Sequence, residues 1–228
     1  MTTTIAVIGA MDVEVDLVAK SLEDVRENSQ AGFTVFDGNL PGADVRVVAT
    51  VAGMGTVNAA ATTQHLIDAY QPDYVLFSGI AGNLTDHLHI NDVVLGKTLV
   101  YLDTDMRMIS QSSPFLNAYH SDDQLLSVAD AVLADMGIEH IQGTIATGNT
   151  FVEGEAAAEV KKLTHADAVE MEGAAVAHVA MRNEVPVLII RALSDNADTE
   201  YETFREFDVR EYADNAARIV LSIMQKLA

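Results

Sequence analysis

The chain contains no cysteine, few basic residues and no long apolar run. Without cysteine there is no disulfide, thiolate metal site or cysteine nucleophile, and such a composition fits a reducing compartment. Lys and Arg total 13 against 34 Asp and Glu, for a formal net charge of −21. A field of that sign repels phosphate backbones and anionic lipid. We therefore expect neither nucleic acid nor a membrane as a partner.

Targeting and membrane signals are also missing. Apolar stretches such as Val185 to Ile190 are too short to span a bilayer. The first residues lack the basic start of a signal peptide, and Asp12 and Glu14 follow them closely. We expect a cytoplasmic protein.

The composition is that of a globular domain. Apolar residues make up 49% of the 228 residues and charged residues 21%, and a chain of this length buries about 70% of its surface on folding. No repeat and no Pro/Gly/Ser-rich linker interrupts it. We expect a single domain over residues 1–228.

Apolar runs rich in Val and Ile alternate with amphipathic helical patterns. Little polar alternation within the runs indicates strands covered on both faces. The predicted strands are Ile5–Ile8, Val45–Val51, Tyr74–Phe77, Asp92–Tyr101, Ile141–Ala146, Ala168–Val169 and Val187–Leu193. The predicted helices are Asp12–Leu22, Val57–Ala69, Asp122–Met136, Glu153–Leu163, Glu172–Arg182 and Phe207–Leu227, and Asp103 to His120 is expected to be irregular. This order predicts a three-layer α/β/α sandwich with a central mixed sheet.

Carboxylates follow the predicted strands at several points. Glu14 lies in the first turn after IGAMD, Glu170 and Glu172 interrupt an apolar strand-to-helix passage, and Asp195 follows Ser194 at the end of another strand. Ligands of open α/β sheets bind at the carboxyl ends of strands, and buried carboxylates are costly unless bonded. We expect a shared cleft, although helix-start charges or a structural ion pair would explain one of Glu170 and Glu172 equally well.

Two glycine turns and one buried arginine accompany these carboxylates. Gly53 and Gly55 form part of a dinucleotide-like pattern, but Asn58 replaces its third glycine, and a simple strand–helix turn is the preferred interpretation. Gly82, in FSGIAGNL, indicates close approach of backbone to a ligand. Arg191 lies inside an apolar strand and needs an anionic partner. No metal-ligand spacing is present, so no metal or cofactor is expected.

Taken together, the stretches IGAMDVEV, GMGTVNAA, FSGIAGNL, ATGNTF, AVEMEGAAVAHV and RALSDNAD resemble the nucleoside phosphorylase-like family, in particular its 5′-methylthioadenosine/S-adenosylhomocysteine nucleosidases. They keep the family order over nearly the whole chain. The resemblance implies hydrolysis of the N-glycosidic bond of 5′-methylthioadenosine, S-adenosylhomocysteine and 5′-deoxyadenosine, with release of adenine. It also implies a homodimer in which a neighbouring subunit completes the pocket for the 5′-substituent.

The resemblance further implies a role for each matching residue. Asp195 would protonate adenine N7 and Glu14 would activate water, while Glu172 would bind the ribose hydroxyls. The other substrate-binding positions are Met54, Ile80, Gly82, Phe151, Val152, Glu170, Met171, Arg191, Ser194 and Phe204. Ser194 would hold the Asp195 carboxylate, Arg191 would help to place Glu14 and the water, Phe151 would stack on the base, and Met54 and Phe204 would line the 5′-pocket.

Several alternatives stay open. The chain departs from the family pattern at Ile80, Leu102, Arg107 and Asn149, and family members with an apolar residue at the Ile80 position also act on 6-amino-6-deoxyfutalosine. A purine nucleoside phosphorylase would need an arginine cluster or bare helix N-termini to bind phosphate. A silent nucleoside-binding protein would not need the three carboxylates Glu14, Glu172 and Asp195. A dinucleotide-binding oxidoreductase is supported only by Gly53 and Gly55.

Overall fold

The Val- and Ile-rich runs lie side by side in one mixed sheet in the computed structural model, which describes residues 2–30, 32–197 and 210–228. The strands of the described chain are β1 (Thr3–Gly9), β2 (Glu23–Gln30), β3 (Phe33–Asn39), β4 (Val45–Val51), β5 (Tyr74–Asn83), β6 (Val93–Tyr101), β7 (Tyr119–His120), β8 (His140–Thr147), β9 (Ala168–Glu170) and β10 (Val187–Asp195). Its helices are α1 (Asp12–Lys20), α2 (Thr56–Tyr70), α3 (Met106–Ile109), α4 (Asp123–Met136), α5 (Glu155–Thr164), α6 (Gly173–Arg182) and α7 (Arg210–Lys226). None of the helices in this part of the chain is long and apolar enough to cross a membrane.

The sheet has a branched topology centred on β5. Its strands follow the order β10-β6-β8-β9-β5-β1-β4-β3-β2, and β7 pairs with β6. Strand β5 also pairs with β10, so β5, β10, β6, β8 and β9 form a closed ring. Strand β5 is parallel to β1 and β10 and antiparallel to β9. The carboxyl ends of β1, β5 and β10 therefore meet at one edge.

Helices cover both faces of the sheet. Along β1, Ala6 and Ile8 face the cluster that contains α2 and α6, whereas Ile5 and Val7 face the cluster that contains α1, α4 and α7. Because both sets of side chains are buried, the strands show no polar alternation. The predicted α/β architecture with a central mixed sheet is confirmed.

Three strands differ from the sequence-based prediction. Strands β2, β3 and β7 were not expected, and every residue of β2 (sequence EDVRENSQ) is exposed. A strand that is polar on both faces carries no hydrophobic period, which explains why it gave no signal. The segment expected to be irregular, Asp103 to His120, contains α3 and β7. The start of the predicted helix Phe207–Leu227 lies outside the described residues.

Candidate active site

A cleft opens at the sheet edge where β1, β5 and β10 end. Its lining combines apolar side chains with a few carboxylates, which is typical of a small-molecule site. Sequence-predicted residues that line it are Glu14, Met54, Ile80, Gly82, Phe151, Val152, Glu170, Met171, Glu172, Ser194 and Asp195. Arg191 lies behind the cleft wall and is 1% exposed, and Phe204 falls outside the described residues. The structure thus brings Glu14, Glu172 and Asp195 together from three separate parts of the chain.

Glu14 folds back over the start of its own helix. Its Oε2 accepts hydrogen bonds from the amides of Ala10 (2.6 Å) and Met11 (2.9 Å), and its Oε1 accepts one from the Ile80 amide (3.1 Å). Burial raises the pKa of Glu14, while the charge of Arg191 and these amides oppose the rise. The amides fix the orientation of a carboxylate that borders the cleft.

Gly79 provides the space in which Glu14 and Arg191 approach each other. A Cβ added at Gly79 would lie 2.5 Å from Glu14 Oε1 and 2.8 Å from Arg191 Nη1. Any side chain at this position would have to displace both charged groups, which are held by buried contacts. Glycine is therefore a steric requirement of the site.

Glu170 forms the ion pair that Arg191 requires. The guanidinium donates from Nε (3.2 Å) and from Nη2 to Glu170 Oε2, and it stacks over the Phe77 ring at 4.1 Å. Glu170 also accepts hydrogen bonds from the amides of Glu172 (3.0 Å) and Gly173 (2.7 Å), at the start of α6. Of the two neighbouring glutamates, Glu170 is the one that accepts hydrogen bonds from Arg191, whereas Glu172 Oε2 lies 3.8 Å from Nη2, at ion-pair distance only.

Glu172 faces the cleft and is held by a glycine turn. Its Oε1 accepts a hydrogen bond from the Gly55 amide (2.7 Å), and Gly55 has a φ of +93°, which other residues rarely adopt. The turn between β4 and α2 thus supplies a main-chain donor to the site. Burial, together with the neighbouring Glu170 charge, raises the pKa of Glu172 to about 8, and the Arg191 charge opposes that rise.

Asp195 is oriented by its immediate neighbours. The Ser194 hydroxyl donates to Oδ1 (2.9 Å), and the Ala197 amide donates to Oδ2 (2.8 Å). Ser194 is buried, whereas the Asp195 side chain borders the cleft. A carboxyl group with a fixed direction at the cleft wall is suited to proton exchange with a bound ligand.

Apolar side chains form the remaining walls of the cleft. Phe151, Val152 and Met171 line the cleft, and Met54 is 61% exposed at its mouth. The segment before Phe151 is tied to α2, because Asn149 Oδ1 accepts hydrogen bonds from the Thr56 amide (2.9 Å) and hydroxyl (3.0 Å). An aromatic ring beside carboxylates is suited to a flat, polar ring system.

Several functional groups were missed by the sequence analysis. Thr147 is fully buried, donates its hydroxyl proton to Glu170 and accepts a hydrogen bond from the Ala174 amide (2.9 Å). A polar residue that ends an apolar strand was the available signal. The amides of Gly55 and Ile80 gave no signal, because main-chain donors are independent of side-chain identity.

The chemistry available to this cleft is that of carboxylates. Two of them, Glu14 and Glu172, face a region where a developing positive charge would be stabilised, and the third, Asp195, can exchange a proton. Within residues 2–30, 32–197 and 210–228, no group of three or more His, Asp or Glu side chains could hold a metal ion.

Comparisons with known proteins agree on one family. The model of the phosphorylase superfamily matches residues 4–225. A 5′-methylthioadenosine/S-adenosylhomocysteine nucleosidase of Bacillus velezensis is 34% identical over 230 residues, which cover 98% of this chain and 99% of that protein. The crystal structure of the enzyme of the same name from Neisseria meningitidis, in complex with methylthio-immucillin-A, has a TM-score of 0.90 at 34% identity and covers 98% of this chain and 99% of that chain. A futalosine hydrolase of Helicobacter pylori has a TM-score of 0.89 at 29% identity, with 99% of both chains covered.

Proposed function

The chain belongs to the phosphorylase superfamily and, within it, to the 5′-methylthioadenosine/S-adenosylhomocysteine nucleosidases, which are hydrolases of N-glycosyl bonds, and we propose how its residues carry out that reaction. The observation that carries the proposal is the convergence of Glu14, Glu172 and Asp195 on one cleft. The substrate is a nucleoside, and the products are adenine and the 5-substituted ribose.

Asp195 is the general acid in this proposal. Cleavage of the glycosidic bond leaves negative charge on the departing base, and a proton delivered to adenine N7 removes that charge. The hydroxyl of Ser194 and the amide of Ala197 hold the carboxyl group in one direction. Such a fixed donor lowers the barrier because it needs no reorganisation during the reaction.

Glu14 and Glu172 act on the sugar. Glu14 accepts a proton from the attacking water, and the two groups in their ionised forms stabilise the positive charge that develops on the ribose. Glu172 accepts hydrogen bonds from the ribose hydroxyls, with Met171 against the sugar. An acid and a base on opposite sides of the ring correspond, by analogy, to the arrangement of inverting glycosidases.

The apolar lining binds the two ends of the nucleoside. Phe151 stacks on the purine, while the Val152 main chain reads its edge. Gly82 allows the β5 backbone to approach the ligand, Ile80 lines the cleft near the water, and Met54, at the exposed mouth, contacts the 5′-substituent. Arg191 acts on Glu14 from behind Gly79.

Two isosteric variants test the roles of the acid and the base. Asp195→Asn and Glu14→Gln should each lose most of the adenine release, because general acid–base groups contribute about 10²–10⁴-fold, and both should keep the fold by circular dichroism. Asp12→Asn is a matched control, since Asp12 is an exposed carboxylate on the same helix as Glu14. Wild-type turnover in either variant would exclude the role assigned to that residue.

Water, rather than phosphate, is the proposed nucleophile. A phosphate site needs several cationic or main-chain donors aimed at one anion, whereas here the donors near β1 are taken by the Glu14 carboxylate. The rival activity is that of a purine nucleoside phosphorylase. Adenine release should be the same with and without inorganic phosphate, and a strict phosphate requirement would support the rival.

The substrate range is proposed to include 5′-deoxyadenosine. A futalosine hydrolase is also among the structural neighbours, so 6-amino-6-deoxyfutalosine is the second candidate. Steady-state assays of adenine release from 5′-methylthioadenosine, S-adenosylhomocysteine, 5′-deoxyadenosine and 6-amino-6-deoxyfutalosine would rank the four. A kcat/KM that is highest for the last compound would favour the second candidate.

A homodimer is proposed to complete the pocket of the 5′-substituent. Large apolar side chains are exposed near the cleft mouth and on the segment after β6: Met54, Val57, Met108, Ile109 and Phe115. Burying such side chains against a second copy removes apolar surface from water. Analytical ultracentrifugation should give the mass of two chains, and a Phe115→Glu variant should shift the equilibrium towards one.

A further inference from the structure

Arg191 is buried among three carboxylates but makes hydrogen bonds to only one of them. Its Nε and Nη2 both donate to Glu170 Oε2, whereas Nη2 lies 3.8 Å from Glu172 Oε2, beyond hydrogen-bond distance. Its Nη1 shares the space above Gly79 with Glu14 Oε1. The guanidinium is therefore close to both cleft carboxylates while being held by a third.

Glu170 holds more than the guanidinium. The same Oε2 accepts the amides of Glu172 and Gly173, and Oε1 accepts the hydroxyl proton of Thr147, which in turn accepts the Ala174 amide. These contacts connect the end of β8, the start of α6 and the middle of β10. Glu170 is the acceptor in each of its own hydrogen bonds, and its side chain is 3% exposed.

We propose that Glu170 is a positioning residue, which binds the Arg191 guanidinium so that Glu172 and Glu14 remain free of hydrogen bonds to it and available to the reactants. This inference rests on the proposed function, because it assigns Glu170 a task in the same reaction. It differs from the substrate-binding role that the resemblance implies for Glu170.

The charged groups that act on Glu172 come from three elements. They are Glu170 of β9, Arg191 of β10 and Glu14 of α1. If Glu170 loses its charge, the repulsion on Glu172 falls and Arg191 is released towards it, and both changes favour the ionised form of Glu172. Loss of the Thr147 hydroxyl removes two hydrogen bonds but leaves the charged groups in place.

The test compares Glu170→Gln with Thr147→Val, which perturbs the same buried network without changing its charge. The kcat/KM for 5′-methylthioadenosine is measured as a function of pH from pH 5 to 9. The limb of this profile that is absent in Glu172→Gln is the one due to ionisation of Glu172. We expect that limb to move to lower pH by about one unit or more in Glu170→Gln and to stay at its wild-type position in Thr147→Val. An unmoved limb in Glu170→Gln, or an equal movement in both variants, would overturn the proposal.

A second variant and a second measurement cover the remaining cases. If Glu170→Gln does not fold, Glu170→Asp takes its place, because aspartate keeps the charge but moves it away from Arg191. The Glu172 limb should again move to lower pH in this variant. An unmoved limb in Glu170→Asp would overturn the proposal. Carbon-13 NMR titration of the glutamate carboxyl groups in the free protein reports Glu172 directly. That titration tests Glu170 even if wild-type protein releases no adenine, an outcome that would refute the proposed function alone.

Discussion

Replacing Glu172 by glutamine should make the free protein's stability less dependent on pH. Glu172 is 5% exposed, and burial with the Glu170 charge beside it raises its pKa to about 8 from an ordinary 4.5. The folded state therefore binds a proton on Glu172 more tightly than the unfolded state does. The stability due to this proton is fully present below about pH 4.5 and is lost as the pH rises to about 8.

The size of the effect follows from linkage. A shift of one pH unit in the pKa corresponds to about 1.4 kcal/mol, so ionising Glu172 at pH 8 costs the folded state at most about 5 kcal/mol. Because Glu14 and Glu170 also take part in this interaction, we expect less than this maximum. Between pH 5 and 8 the free energy of unfolding should fall by on the order of 3 kcal/mol more in the wild type than in Glu172→Gln. Glutamine keeps an oxygen for the Gly55 amide, so the turn itself should be preserved.

Urea denaturation at pH 5 and pH 8, at equal protein concentration, measures the difference. Groups far from Glu172 contribute equally in the two proteins, so the difference between the two pH slopes reports Glu172 together with the carboxylates beside it. Asp12→Asn, which removes an exposed carboxylate instead of a buried one, should keep the wild-type dependence of stability on pH. Equal slopes for wild type and Glu172→Gln would show that Glu172 ionises in the folded protein as it does in the unfolded chain, and the reasoning would fail.

Three further predictions concern contacts around the same cleft. Gly79→Ala should lose most adenine release and about 1–3 kcal/mol of stability, because the added Cβ would lie 2.5 Å from Glu14 Oε1. Wild-type kinetics in this variant would show that the side chains around Gly79 can accommodate a methyl group. Ser194→Ala should lower kcat by about tenfold or more with little change in KM, since it removes the hydroxyl that orients Asp195 at 2.9 Å; a change confined to KM would contradict this. Thr147→Val should cost about 1–3 kcal/mol in urea denaturation, because Glu170 and the Ala174 amide each lose a buried partner, and an unchanged midpoint would argue against the network.

The buried strands could be predicted because both of their faces are apolar. Val45–Val51 was predicted with the bounds that β4 has, and β10 extends the predicted Val187–Leu193 by two residues. Strand β5 runs on from Phe77 to Asn83, through a glycine-containing stretch, because β9 and β10 pair with it there. Tertiary pairing of this kind leaves no trace in the local sequence.

The cleft could be predicted in its side chains but not in its contacts. Polar residues at the ends of apolar strands pointed to one sheet edge, and parallel strands bring such ends together. Which of Glu170 and Glu172 would pair with Arg191 could not be decided, since the two are separated by one residue and both are buried. The choice depends on where the amides of α6 and the Thr147 hydroxyl lie in three dimensions.

The closed ring of β5, β10, β6, β8 and β9 has a consequence for synthesis of the chain. Strand β5 ends at residue 83, but its partner β10 begins at Val187, so more than a hundred residues leave the ribosome before the ring can close. Until then the backbone groups along one edge of β5 lack their partners in β10, and an unpaired strand edge can form hydrogen bonds with other chains. Closure also brings Asp195 to the cleft that Glu14 lines, so the ring and the candidate site are completed together, late in synthesis.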